Sequence, residues 1–373
     1  MFRILVLSLV VFVSQLLHAQ RPPMVLSDST SVCVLTCDRG NELYSLYGHT
    51  ALRIVDHKAD MDWVINYGTF DFATPNFGLK FAKGDLQYFV SVAPYADFLT
   101  NYQLEGRAVK EQVLALTATE KQQIWTDLIE TITSDKRFYT YKFIDRNCTT
   151  MVKDLLEKHT GSSIVKVGPI DHTYRDLIYP EFRYHFWEKL GTQLLFGPKV
   201  DKDAQALFLP EELFQALANT TFKGQKAVVS TSTPIDLPTA EPDKLSFFNT
   251  IWCYLLLIAV IAFVPWEGVR KGTVIVLGIL GLGFVFAGFY SLHEELQWNW
   301  QILLCNPLWL VVVGTKNPRL KGQLVSVIQL GLFVYTALVC TKIHFVIVAP
   351  LIVLSTYIAW KIYRQSRLLA AVK

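Results

Sequence analysis

Nowhere in the 373 residues do lysines and arginines run together with interleaved aromatics, no Cys/His cluster has the spacing of zinc ligands, and no glycine-rich loop follows a strand to cradle phosphate. These absences set aside nucleic-acid binding, zinc modules and nucleotide chemistry, and nothing in the chain calls for a metal or a cofactor. Charge is also scarce. Only 18% of residues are Asp, Glu, Lys or Arg, the net charge is +3 and 51% are hydrophobic. The mean hydropathy is +0.30. A soluble chain with charges spread evenly is less apolar than this, so part of the protein is expected in lipid.

The six cysteines follow no pattern: Cys33, Cys37, Cys148, Cys253, Cys305 and Cys340, the last three in apolar segments. Cys33 and Cys37 are four apart in an extended run, which separates them by about 13 Å and puts them beyond disulfide reach. No bridge is expected between them. An unpaired Cys148 in an oxidising compartment is a liability unless its reactivity is used.

Residues 1–19 read as a signal peptide, with a short basic start, an apolar run and Ala19 at a plausible cleavage point. The chain beyond Ala19 is then exported. Residues 24–225 have the amino-acid variety of a folded domain. Alternation predicts strands over 31–36, 51–55, 63–67 and 86–93, and helical spacing predicts a helix over 119–130 and another from Cys148. The fold class is α+β. Residues 162–222 read as short helices and loops, either packed on the domain or, through Arg175, Tyr179, Tyr184, Phe186, Trp187 and Phe196, forming a platform at the headgroups.

Residues 226–246, rich in Ser, Thr and Pro, read as a linker. An all-α membrane domain is expected over 247–361, with a cytoplasmic tail at 362–373. Apolar stretches lie at 247–264, 273–290, 302–313, 324–340 and 345–360, the third short enough to be tilted or re-entrant. Arg270 and Lys271, then Lys316, Arg319 and Lys321, then Lys361, Arg364, Arg367 and Lys373 follow alternate stretches, while the other loops hold only Lys342. About five transmembrane helices satisfy the positive-inside rule, with the folded domain outside the cytoplasm. The loop around His293, Trp298 and Asn299 lies on the same side as that domain. It is either a polar cap on a helix hairpin or, since polar groups near lipid are costly, a substrate-binding element.

The reactive centre is expected at Cys148. Asn147, or Asp145, is a good N-cap, and Cys148, Met151, Val152, Leu155 and Leu156 recur along one helical face. The unpaired N–H groups of a first turn stabilise a thiolate, the nucleophilic form. Taken alone, such a cysteine is more often a small apolar residue on the buried face of an ordinary helix. A nucleophile needs a base, and His49 is the histidine with a distinctive setting: it opens an alternating strand directly after Gly48, which permits a close backbone approach.

The motifs Gly48-His49-Thr-Ala-Leu-Arg53, Asn66-Tyr67-Gly68-Thr69-Phe70-Asp71-Phe72 and Asp145-Arg-Asn147-Cys148-Thr149-Thr150 resemble the N-terminal periplasmic domain of the Lnb-type bacterial lipoprotein N-acyltransferases, and the His293 to Pro307 stretch resembles their membrane half. The order His, strand, Cys on a helix also resembles the circularly permuted papain-like fold of lecithin:retinol acyltransferase and its NlpC-like relatives. The resemblance implies a cysteine nucleophile at Cys148 that forms a thioester, His49 as base, and Asn66 as the orienting group with Tyr67 as its competitor. A backbone N–H near Cys148, with Asn147, is then expected to hold the oxyanion. It further implies a multi-pass protein of the bacterial inner membrane with its N-terminal domain in the periplasm, a phospholipid acyl donor, and the α-amino group of a diacylglyceryl-cysteine lipoprotein as acceptor. Two other readings remain open: a membrane-bound Cys hydrolase, phospholipase or amidase, and a non-enzymatic ligand-binding module.

Overall fold

The computed structural model describes residues 24–168, 172–238 and 246–371. The signal-peptide reading at 1–19 and part of the 226–246 stretch lie outside them.

In chain order the first half contains β1 (Ser31–Cys37), β2 (His49–Asp56), β3 (Met61–Thr69), α1 (Phe77–Lys83), β4 (Gln87–Pro94), α2 (Tyr95–Leu104), β5 (Val109–Leu114), α3 (Ala118–Thr133), β6 (Phe138–Thr140) and α4 (Cys148–Thr160). After these come α5 (Tyr174–Ile178), α6 (Phe186–Leu195), α7 (Pro210–Asn219), a hairpin of β7 (Thr221–Phe222) and β8 (Gln225–Lys226), and β9 (Val228–Ile235). Seven strands form one antiparallel sheet in the order β6-β4-β3-β2-β1-β5-β9. β1, inside the sheet, is buried along nearly its whole length, as a run of Val, Cys and Leu covered on both faces requires.

α3 and α4 cover one face. Ile124, Trp125 and Leu128 of α3 and Val152, Leu155 and Leu156 of α4 pack on Val32, Val34, Leu52, Ile54 and Ile65. Each fully buried aliphatic side chain of this kind contributes roughly 1.5–3 kcal/mol. α3 starts earlier than its spacing predicts, because Thr117 rather than Thr119 caps it through a capping box with Glu120. α2 covers the other face with Phe98 against Leu35, Ala51 and Val64.

The stretch expected to be a linker from residue 226 instead completes the sheet, since β9 pairs with β5 from Val228 to Ile235. Its Ser, Thr and Pro content suits an exposed edge strand, and that composition alone reads as coil.

The second half is helical: α8 (Ile251–Phe263), α9 (Glu267–Tyr290), α10 (Leu308–Gly314), α11 (Pro318–Val339) and α12 (Phe345–Ala371). Three of these, α9, α11 and α12, are long and apolar enough to cross a membrane. The expectation of four span-length stretches fails at the first one. α8 has 13 helical residues, about 20 Å, because Val264 is pushed out of the helix ahead of Pro265. The third stretch turns through a 3-10 segment at Trp300–Ile302 into the seven-residue α10. It runs back along α9: a Cβ on Gly281 would lie 1.8 Å from the Cys305 carbonyl oxygen and one on Gly278 would lie 2.7 Å from Leu310. Only glycine admits an approach this close.

Residues 172–222 join the two halves. Phe186, Leu190 and Leu194 of α6 belong to the apolar core of the helical half with Tyr254 and Leu277. Buried Arg175 donates to Asp201 at 2.6 Å and to Gln193 Oε1 at 2.8 Å, and Lys342, between α11 and α12, reaches the same Asp201 at 2.6 Å. Of the expected aromatic platform, Tyr179, Phe186 and Trp187 pack on the helical half, while Phe196 sits in a separate cluster with Ile144 and Phe208, near the start of α4.

Candidate active site

β2 begins at His49, directly after Gly48, whose φ is +76°; a Cβ at 48 would lie 2.7 Å from the Cys37 carbonyl oxygen. Ala51 pairs with Asn66 across the β2–β3 ladder, which makes His49 and Asn66 diagonal neighbours on one face. The ring Nε2 meets Asn66 Oδ1 at 3.1 Å. Since an amide oxygen only accepts, Nε2 carries a proton; Nδ1 then holds a lone pair when the ring is neutral and the second proton when it is charged. β3 bulges directly after Asn66, with Gly68 at φ +90°.

Cys148 is the first residue of α4 and is 8% exposed. Asn147 caps the helix. Its Oδ1 accepts from Thr149 N–H and Thr150 N–H, both at 2.9 Å. Its Nδ2 donates to the Phe143 and Phe208 carbonyls, both at 2.8 Å. Both amide hydrogens are therefore committed, and the side chain expected to help hold an oxyanion fixes the helix start instead. The Cys148 N–H is the one donor of that first turn without an acceptor among the described residues.

The sulfur is set by opposed influences. Burial alone would push the thiol up; the His49 charge, a hydrogen bond from its ring, the Thr50 N–H and the Thr149 hydroxyl overcome this and hold it below the ordinary cysteine value. Cys33 and Cys37, also buried, lack partners of that strength and are pushed up to about 12. Thr149 ties the site together, its hydroxyl meeting that of Thr50 at 3.0 Å and so linking the start of α4 to the residue after His49. No role was expected for it from sequence, although it lies in the Asn147-Cys148-Thr149-Thr150 motif.

Tyr67, the competitor for the orienting role, is 3% exposed and packs in the core with Ile65, on the face opposite Asn66. Arg146 stacks on the Tyr139 ring at 5.0 Å rather than beside the sulfur.

The three residues expected to bind substrate lie at the junction of the two halves. His293 Nε2 bonds the Phe81 carbonyl at 2.9 Å. Asn299 Nδ2 donates to the carbonyls of Leu194 and Leu195 at 2.8 and 2.9 Å, closing the end of α6. Trp298 has a positive φ of 55° and is 81% exposed. Of the three, Trp298 is the most exposed.

A thiol lowered by an imidazole, the imidazole held by an amide, and a free N–H at the same helix start form an arrangement with the chemistry a cysteine nucleophile requires. Residues 25–179 match the family model of the Lnb N-terminal periplasmic domain. No curated protein and no solved structure matches the chain. Three helices long and apolar enough to span a bilayer, beside an N-terminal segment that matches a periplasmic-domain family, support a membrane protein.

Proposed function

We propose that the protein is a lipoprotein N-acyltransferase that works by ping-pong transfer at the outer face of the bacterial inner membrane. The observation that carries this reading is the pairing of Cys148 with a His49 ring whose Nε2 is engaged by Asn66. The Cys148 sulfur attacks a phospholipid ester carbonyl, and His49 Nδ1 takes the thiol proton. The Cys148 N–H lies where the developing oxyanion needs a donor. Collapse breaks the ester C–O bond, the lysophospholipid oxygen leaves with the proton from His49, and a thioester remains. The α-amino group of a diacylglyceryl-cysteine then attacks, gives its proton to His49, and expels the thiolate as the amide forms.

The order His49, Asn66, Cys148 on two strands and a helix supports a permuted papain-like arrangement. The membrane half supports a substrate pair that never leaves the bilayer, because anchoring both partners beside one site supplies the proximity that transfer needs. Close approaches between α9 and the 302–314 stretch, and between that stretch and α11, have the chain reversing direction at each. This supports five passages, two of them short, with a cytoplasmic C-terminus.

The test is mass spectrometry of a lipoprotein N-terminus in cells that depend on this protein, with wild type against Cys148→Ala at equal expression. Loss of the amide-linked acyl chain in the variant is the expected result. Persistence of the chain rules out Cys148-dependent transfer and favours a binding module. Lysophospholipid and free fatty acid without lipoprotein acylation mark a hydrolase.

A further inference from the structure

A row of aromatic rings starts beside Cys148 and ends at the membrane half. Gly68 has no side chain to fill the space, and a Cβ there would lie 3.2 Å from the Tyr141 ring and 4.0 Å from Cys148 Cβ. Tyr141 stacks on Tyr88 with centroids 4.6 Å apart, and Tyr88 meets Phe70 at 5.4 Å. Phe70 touches Phe72 at 4.9 Å and Phe77 at 5.8 Å, and Phe77 stacks on Phe81 at 6.1 Å. Phe81 faces the His293 ring at 6.3 Å.

The inner end of the row is covered and the outer end is not. Tyr88 is 8% exposed, whereas Phe72 is 65% and Phe81 48% exposed. Single exposed apolar side chains need no explanation, but a contiguous apolar surface does.

Its height relative to the bilayer follows from backbone bonds. The carbonyls of Phe81, Ala82 and Lys83, at the end of α1, accept from His293 Nε2 at 2.9 Å, Ser291 Oγ at 2.9 Å and Leu292 N–H at 2.7 Å. Ser291 directly follows α9, a spanning helix whose C-terminal end carries Phe286 at 63% and Phe289 at 89% exposed. α1 is therefore held at the level where α9 leaves the bilayer, and its uncovered face adjoins lipid-facing aromatics.

We propose that this row is a lipid-binding surface: an acyl chain of an outer-leaflet phospholipid leaves the bilayer along Phe81, Phe77 and the Phe70–Phe72 pair, which brings its ester toward Cys148. Each methylene that left hydrocarbon for water would carry a cost, and an unbroken apolar row replaces the lost contacts. Only the last step, reaction at Cys148, rests on the acyl-transfer reading.

The test uses the full chain in nanodiscs of phosphatidylethanolamine and phosphatidylglycerol. A photoreactive p-benzoyl-phenylalanine replaces Phe81, or Val229 on β9 at the opposite edge of the sheet as reference. Lipid adducts severalfold more abundant at 81 than at 229, retained when Cys148→Ala is added, are expected; equal background labelling at both positions overturns the proposal. Phe72→Asp is expected to lower lipoprotein acylation at least tenfold with an unchanged melting temperature, and full acylation in that variant overturns the path to Cys148. If position 81 captures lipid while Cys148→Ala leaves acylation intact, the surface stands and the acyl-transfer reading falls. If acylation depends on Cys148 but position 81 captures no lipid, the acyl-transfer reading stands and the surface falls.

Discussion

His49 and Asn66 lie diagonally across two antiparallel strands, with the imidazole Nε2 3.1 Å from the amide Oδ1. That contact ties a proton to Nε2 and leaves Nδ1 as the ring nitrogen able to accept one, the role that the proposed mechanism gives it.

In the proposed mechanism Asn66 is a positioning residue. Asn66→Ala is expected to lower kcat about 10²-fold through misplacement of the ring, with KM little changed. Asn66→Asp, which keeps an acceptor, is expected to retain more of the activity. A purely structural role would leave the pH dependence of thiol alkylation unmoved, and an unmoved profile in Asn66→Ala would refute the assignment.

The thiol itself can be titrated by its reaction with iodoacetamide. Its pKa is lowered, so the thiolate is populated at pH values below the ordinary 9.0 and the alkylation midpoint is expected there. His49→Ala removes the two largest lowering influences and leaves burial, so the midpoint is expected to rise. Identical profiles for the two proteins would mean that the pair is not coupled.

Asn147 separates capping from anchoring. Asn147→Asp keeps the two bonds accepted at Oδ1 and loses both donated to Phe143 and Phe208, leaving two carbonyls facing a carboxylate. A loss of about 2–3 kcal/mol is expected, and more for Asn147→Ala, which also removes the cap. Thermal unfolding in detergent measures both, and an unperturbed Asn147→Asp would show that the donated bonds do not matter.

Lys199 fastens the sheet domain to the membrane half, contacting Asp145 beside the site and Glu294 and Glu295 of the polar loop. Burial alone would lower its pKa; the three carboxylates raise it above the ordinary lysine value, so the clamp stays charged through neutral pH. Lys199→Met is expected to leave Cys148 alkylation intact and to reduce lipoprotein acylation about tenfold, because the chemistry survives while its placement over the bilayer does not. Parallel loss of both readouts would place the lysine within the thiol site itself.

The central strands were legible in the sequence because their Val, Ile and Leu runs are buried, and Cys148 and His49 because each opens an element. β5 stayed hidden, since Glu111 and Gln112 are buried within it and break the alternation that marks a strand. Their partners, Arg53 for Glu111 and the Phe214 carbonyl for Gln112, lie 58 and 102 residues away in the chain, a distance over which local pattern says nothing. The same limit hid the use of Asn147: its capping was readable, but Phe208, 61 residues on, was not. At the junction, His293 and Asn299 were readable as unusual polar groups, yet their acceptors are backbone carbonyls that no side-chain pattern reveals.

The return stretch from Ile302 to Gly314 has consequences for how the protein is made. Its α-helix is only seven residues long, and its preceding turns are closed by short-range bonds such as Leu304 N–H to the Gln301 carbonyl and Leu308 N–H to Asn306 Oδ1. It is sheltered by Gly278 and Gly281 of α9 on one side and by Gly331 of α11 on another. In the five-passage reading this stretch is too short to enter the bilayer as an independent span, so the chain from α9 to α11 is expected to insert as one block, and bulkier residues at Gly278 or Gly281 are expected to harm insertion as well as packing.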